Sequence, residues 1–394
     1  MFLHRAFDHH GFALYQSLPI HVKTNLAATL LVTSEFSSED WKRRACDFAK
    51  KLIDDLPKSY LHVWARRLQV RLSSSLTNSN QPESVLEVLP ERHVLARLSH
   101  ANPRIYAQYG RFLVSVVEQS LRRNQIPQAK ALLLKWEPPN ESPSKLMRNA
   151  AFRWKFAMAK ALRFEGNFSE ARTLFQQLFD EAIDQASFRG IRCRVVSNLA
   201  DLYCELGNAE AAVDLLRPRI EEYTECGHEY FAHLLIISLA EALIQEGELR
   251  EAEVYLLQAA SFYDGTSKPN NIAQMAHVRA CFALAKISTI QGHWKEAVRR
   301  WTQAKDAVAK HEWGQGFTLG MIKFSVAYVS ANTGPQDSSK KLIQAAQDIL
   351  YQEGEGPDQY WMATVATYWR NFLEGTYQYP CSPCTIRTTV KLRG

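Results

Sequence analysis

The sequence predicts an all-α fold, a solenoid of stacked two-helix hairpins, and three observations carry that prediction. The first is the hairpin pattern of residues 153–182, RWKFAMAKALRFEGNFSEARTLFQQLFDEA. Trp154, Met158 and Leu162 recur at helical spacing, Gly166 interrupts them, and Ala171, Phe175 and Leu178 resume the pattern. Glycine ends a helix in the left-handed conformation without a Cβ penalty. The second is repetition: SNLADLYCELGNAEAAVDLL surrounds Gly207, ISLAEALIQEGELREAEVYLLQAA surrounds Gly247, and FALAKISTIQGHWKEAVRRWTQAKDA surrounds Gly292. A degenerate copy surrounds Gly334, and VSVVEQSLRRNQIPQAKALLLKW has Asn124, the next-best left-handed residue, at the turn. The third is register. Seven positions before the turn stand Ala159, Ala200, Ala240, Ala285 and Ala327, with Val117 the exception. Five after it stand Ala129, Ala171, Ala212, Ala252 and Ala297; nine after it, Leu133, Phe175, Leu216, Leu256, Trp301 and Ile343. Small residues let helix backbones approach, and large ones fill the space toward the next hairpin. The turns are 42, 41, 40, 45 and 42 residues apart. A single hairpin cannot bury all its apolar positions, so it needs copies on both sides.

Residues 1–100 read as a helical N-terminal extension, possible diverged repeats without the Gly–Ala signature. Helices are expected over 12–33 and 39–56. Ser38 caps the second, Glu39 and Asp40 favour its dipole, and Pro57 stops it. A third is expected over 58–76, with Trp64, Leu68 and Leu72 on one face, and a short one near 84–98. The polar stretch SSSLTNSNQPES, 73–84, reads as a break, as does EPPNESPSK, 137–145, where prolines forbid helix. Repeats occupy 101–350, joined by Ala186 to Arg189, Cys226 to Glu229 and Asp264 to Asn271. The apolar pattern of 358–374 predicts a last helix, placing a C-terminal cap at 351–375, and 376–394 reads as a loose tail.

The series best seen in Leu199, Ala200, Tyr203, Gly207, Ala212 and Leu216 resembles the tetratricopeptide repeat (TPR) superfamily. The period near 41, against about 34 in the common form, and the missing closing proline resemble its long-period branch, as in kinesin light chains and fungal and bacterial regulatory proteins. The resemblance implies a right-handed α-solenoid whose first helices line a concave groove. Groove positions in the family lie two, three, six, ten and thirteen residues before the turn. Here they fall on Arg153, Phe156, Lys160, Arg163 and Phe164; on Arg194, Ser197, Asp201, Cys204 and Glu205; on Ile237 and Glu241; on Arg279, Phe282 and Lys286; and on Met321, Phe324 and Tyr328. Asn198 matches the family asparagine that hydrogen-bonds a bound peptide backbone. Arginine beside aromatic residues is the composition of interface hot spots. The competing reading puts these side chains into helix–helix packing or into charge ladders between hairpins. The family's paired-lysine carboxylate clamp has no counterpart.

The resulting functional expectation is a non-catalytic scaffold binding a partner segment with acidic and apolar side chains. One alternative is a regulatory or sensor arm answering to a peptide or small ligand. Another is a helical-repeat enzyme whose site goes unrecognised. Net charge is +6, with +7 in residues 1–137 and −1 beyond. No Lys/Arg run exceeds three residues, which speaks against nucleic acid. Seven cysteines, most inside helical patterns, and the absence of a signal-peptide core point to a reducing, cytoplasmic setting; LAATLLV, 26–32, is too short to span a bilayer. No cofactor or metal is expected. Cys381 and Cys384 form a CxxC without a second ligand pair. His228 and His233 are five apart, where a helical metal pair needs four. His4, His9 and His10 read as a solvated terminus. Asp54 and Asp55 lack the third acid of a magnesium–diphosphate motif, and no phosphate loop or nucleophile elbow is present.

Overall fold

The computed structural model describes residues 102–333, except 123–125, 140–143, 166, 184–188, 265–270, 311–316 and 332, together with Pro19 and Val22. The expected N-terminal extension, C-terminal cap and tail lie outside the described residues, as do the Asn124, Gly166 and Gly334 turns, the CxxC and the Asp54–Asp55 pair. The fold is the all-α solenoid of helical hairpins that the sequence predicts, with no strand among the described residues. Eleven helices are described: α1 (Pro103–Arg122), α2 (Ile126–Leu133), α3 (Lys145–Glu165), α4 (Phe168–Ile183), α5 (Arg189–Glu205), α6 (Ala209–Glu225), α7 (Glu229–Glu246), α8 (Leu249–Asp264), α9 (Asn271–Ile290), α10 (Trp294–Lys310) and α11 (Phe317–Ala331). The chain divides into two compact units, Met1–Ala157 and Met158–Gly394, and the boundary lies within α3.

In the first unit, Asn102 caps α1 by accepting the Ile105 amide at 3.2 Å. The α1–α2 hairpin closes over Trp136, whose Nε1 donates to the Tyr106 carbonyl at 3.0 Å. Gly110 is required there, because a Cβ would meet the Trp136 ring at 2.4 Å. The proline break ends at Ser144, whose Oγ caps α3 through the Met147 amide at 3.1 Å.

In the second unit the predicted turns at Gly207, Gly247 and Gly292 have φ of 78°, 85° and 69°, the left-handed geometry that ends each first helix. Asn208 then starts α6 by accepting the Ala211 amide at 3.2 Å. The register positions are interior: Ala159, Ala200, Ala240, Ala285, Ala171, Ala212, Ala252 and Ala297, with Phe175, Leu216, Leu256 and Trp301, are all 0% exposed. Each helix from α5 packs on the one before and the one after it. In addition α5 packs on α7 and α7 on α9, whereas the second helices α6, α8 and α10 approach one another less closely. First helices thus lie on the tighter, inner side of the stack. Helix α7 is buried continuously from Ala232 to Ile244, thirteen residues with no solvent face. Its apolar residues are not confined to one stripe, the pattern of a helix surrounded by others.

Candidate functional site

The inner face is built by residues that recur once per hairpin on α3, α5, α7 and α9. Helix α3 brings Arg163, buried, to the carboxylate of Glu205 at the end of α5. Its Nε lies 3.0 Å from both Oε1 and Oε2, and Nη2 donates to Oε1 as well. Its Nη1 donates to Asn198 Oδ1 at 3.1 Å and lies 3.7 Å from Asp201 Oδ2. The planar guanidinium suits this fork, since each of its three nitrogens finds an oxygen. Asn198 in turn donates to the Arg194 carbonyl at 2.8 Å. The predicted peptide-binding asparagine is therefore engaged within its own face.

One hairpin further, Ser197 on α5 and Ser238 on α7 share a hydrogen bond of 2.8 Å. From α9, Arg279 donates to Asp201 Oδ1 at 3.0 Å, with the Ser197 and Ser238 hydroxyls each at 3.4 Å. Lys286 on α9 is wholly buried and places its Nζ 2.5 Å from Glu241 Oε2 on α7. Gln245 caps the arrangement by donating to the Cys204 carbonyl at 3.1 Å. The chain separations of these bonds, 42 for Arg163–Glu205, 41 for Ser197–Ser238 and 45 for Lys286–Glu241, match the distances between the turns concerned, 41, 40 and 45, to within one residue.

The predicted groove residues thus separate into groups. Lys160, Arg194, Asn198, Asp201 and Arg279 are half-buried in the second unit, and Lys160 lies over the Phe164 ring at 5.9 Å. Glu241, Lys286 and Phe282 are interior; Phe282 meets the Trp301 ring edge-on at 4.9 Å. In the first unit Phe156 is buried, and half-buried Arg153 donates to Asn149 at 3.1 Å. Phe324 lies on α11, but its side chain is outside the described residues. Interior positions reach a partner only if the helices move, so the face as it stands offers the first group alone.

Sequence reasoning missed the aromatic edge of α6, α7 and α8. Tyr223 and Tyr263 stand sixteen residues after successive turns, and that repetition was the signal available. The Tyr263 hydroxyl donates to the Tyr230 carbonyl at 3.0 Å. His233 stacks on Phe262 at 4.1 Å, and burial holds its imidazole below the usual histidine range against an opposing effect of Glu229. Burial likewise pushes the Cys193 thiol up, so it is an inert interior group. Among the described residues no cluster of three His, Cys, Asp or Glu side chains is disposed to hold a metal. Two open clefts, of about 330 and 550 Å³, are lined by α4 with Tyr203 and by the start of α10 with Thr333; neither includes a predicted groove residue. No described helix is long and apolar enough to cross a membrane.

No protein-family model and no curated protein sequence matches the chain. Solved structures do. A Rap protein complexed with Competence and Sporulation Factor is similar at a TM-score of 0.52 and 14% identity, over 91% of this chain and 99% of that one. Aspartyl phosphate phosphatase F from Bacillus subtilis is similar at a TM-score of 0.50 and 12% identity, over 96% of this chain and 95% of that one. At these identities the likeness is one of fold.

Proposed function

We propose that the chain is a non-catalytic scaffold, related to the long-period TPR branch, that binds a protein or peptide segment against the first helices of its second unit. The supporting observation is the half-buried row Lys160, Arg194, Asn198, Asp201 and Arg279. Three cations against one carboxylate favour a partner with acidic side chains, and the Phe164 ring beside Lys160 favours apolar ones. Glu241, Phe282 and Lys286 serve this surface by holding the helices of the second unit that present it. One of the similar structures is a complex with a bound factor, which lends the architecture to such a role. That Cys193, Cys204, Cys226 and Cys281 form no disulfide among the described residues fits a reducing, cytoplasmic setting.

Selection from a random peptide library tests this reading. Enriched peptides are expected to be acidic and apolar, and Lys160→Glu with Arg194→Glu to weaken them about tenfold or more. Enrichment of basic peptides, or affinities indifferent to the two reversals, would remove the inner face from the proposal.

A further inference from the structure

We infer that Arg279 is a clasp, one side chain that holds α5, α7 and α9 together across the inner face and whose release lets these helices part. Other inner-face bonds, Arg163–Glu205, Ser197–Ser238, Lys286–Glu241 and Gln245–Cys204, join neighbouring hairpins. The Arg279–Asp201 bond skips one, with a chain separation of 78. Packed helices stand about 8–10 Å apart, so one side chain cannot cross two such steps unless α5 and α9 converge over α7. The lane it follows is floored by two serines, 197 and 238, whose hydroxyls face the guanidinium at 3.4 Å. A larger side chain at either place would block the passage.

The clasp is also the inner-face pair best suited to opening. Its side chains are 29% and 13% exposed, against 5% and 0% for Arg163–Glu205. Water and ions reach it, and screening weakens a wetted pair more than a dry one. When Arg279 leaves, it enters solvent, and Asp201 keeps Arg163 at 3.7 Å as a neighbouring cation. Opening therefore strands no lone carboxylate. What it uncovers is the otherwise solvent-free side of α7 around Ser238. The clasp stands on its own geometry, whether or not a partner binds this face.

Hydrogen exchange on the full chain, resolved over residues 232–244, tests it. Arg279→Gln should speed exchange there about tenfold, within the coupling range of charge networks, and adding Asp201→Asn should change it little further. Unchanged exchange over 232–244 in an Arg279→Gln protein of normal helical content would overturn the inference. If that variant loses its helical signal, the unaltered chain decides the matter. Raising salt from about 0.01 M to about 1 M shortens the screening length from about 30 Å to about 3 Å. Exchange over 232–244 should then accelerate while Phe168–Ile183 stays as it was; an equal response in both segments would overturn the clasp.

Discussion

The inner and outer sides of the second unit carry the same kind of bond in different surroundings. On the inner side Arg163–Glu205 and Lys286–Glu241 join first helices one repeat apart, and all four side chains are buried. On the outer side Arg217–Glu251 joins α6 to α8 at 3.0 Å and Arg300–Glu253 joins α8 to α10 at 2.7 Å. The Arg217 and Glu251 side chains are 46% and 39% exposed. Geometry alone would rank these pairs together. Environment separates them: an exposed pair gains little over its hydrated parts, whereas a buried pair broken on one side leaves a charge that nothing else solvates. The inner ladder therefore sets which hairpin sits on which, while Arg217–Glu251 decorates a surface and Arg300–Glu253, 11% and 28% exposed, stands between the two cases.

The sharpest way to break this comparison is Glu205→Ala, which takes the nearest carboxylate from buried Arg163, leaves it Asn198 and, at 3.7 Å, Asp201, and should cost about 3 kcal/mol in chemical denaturation. A loss below about 1 kcal/mol would erase the distinction between the two sides. Lys286→Met alone should cost a similar amount, but Lys286→Met with Glu241→Leu should recover most of it, because a matched apolar pair can replace a buried ionic one. Failure of the double variant to recover would mean that the pair is worth more than its burial. Gly247→Ala should cost about 1–2 kcal/mol through left-handed strain, read as a lowered melting temperature. Acid should act through His233. Its folded pKa lies below its unfolded one, so its stabilisation is complete above the unfolded value and is lost as pH falls toward the folded value. Stability should decline as pH falls below about 6.5, the unfolded value, and less so in His233→Phe. At the weak end, Arg217→Ala should shift stability by less than about 1 kcal/mol, and a larger loss would promote the outer ladder.

The interior of the repeats was legible in the sequence, because small and large residues at fixed distances from a glycine can be counted without coordinates. Ala200, Gly207, Ala212 and Leu216 are placed as their spacing requires. The charge pairing was less legible. Arg163 and Glu205 hold nearly the same place in successive repeats, three and two residues before the turn, and each reads alone as a polar residue facing a groove. Which carboxylate an arginine takes depends on how far one hairpin rotates on the next, and that rotation is not written in any single repeat. The long period adds to the difficulty. First helices of 17–20 residues in α5, α7 and α9 give a longer inner face than the common form, so positions transferred from it include some, such as Lys286 and Phe282, that pack between helices. Helix α7 announced itself differently: AHLLIISLAEALI offers no polar stripe for solvent.

That uninterrupted burial of Ala232–Ile244 makes the hairpins unequal citizens of the stack. Units in an idealised array can be shuffled, duplicated or deleted with proportionate effect. Here the α7–α8 unit is fit only for the middle of the row: moved to an end, it would show water an apolar wall, and excised, it would leave its neighbours facing surfaces they were not shaped to meet.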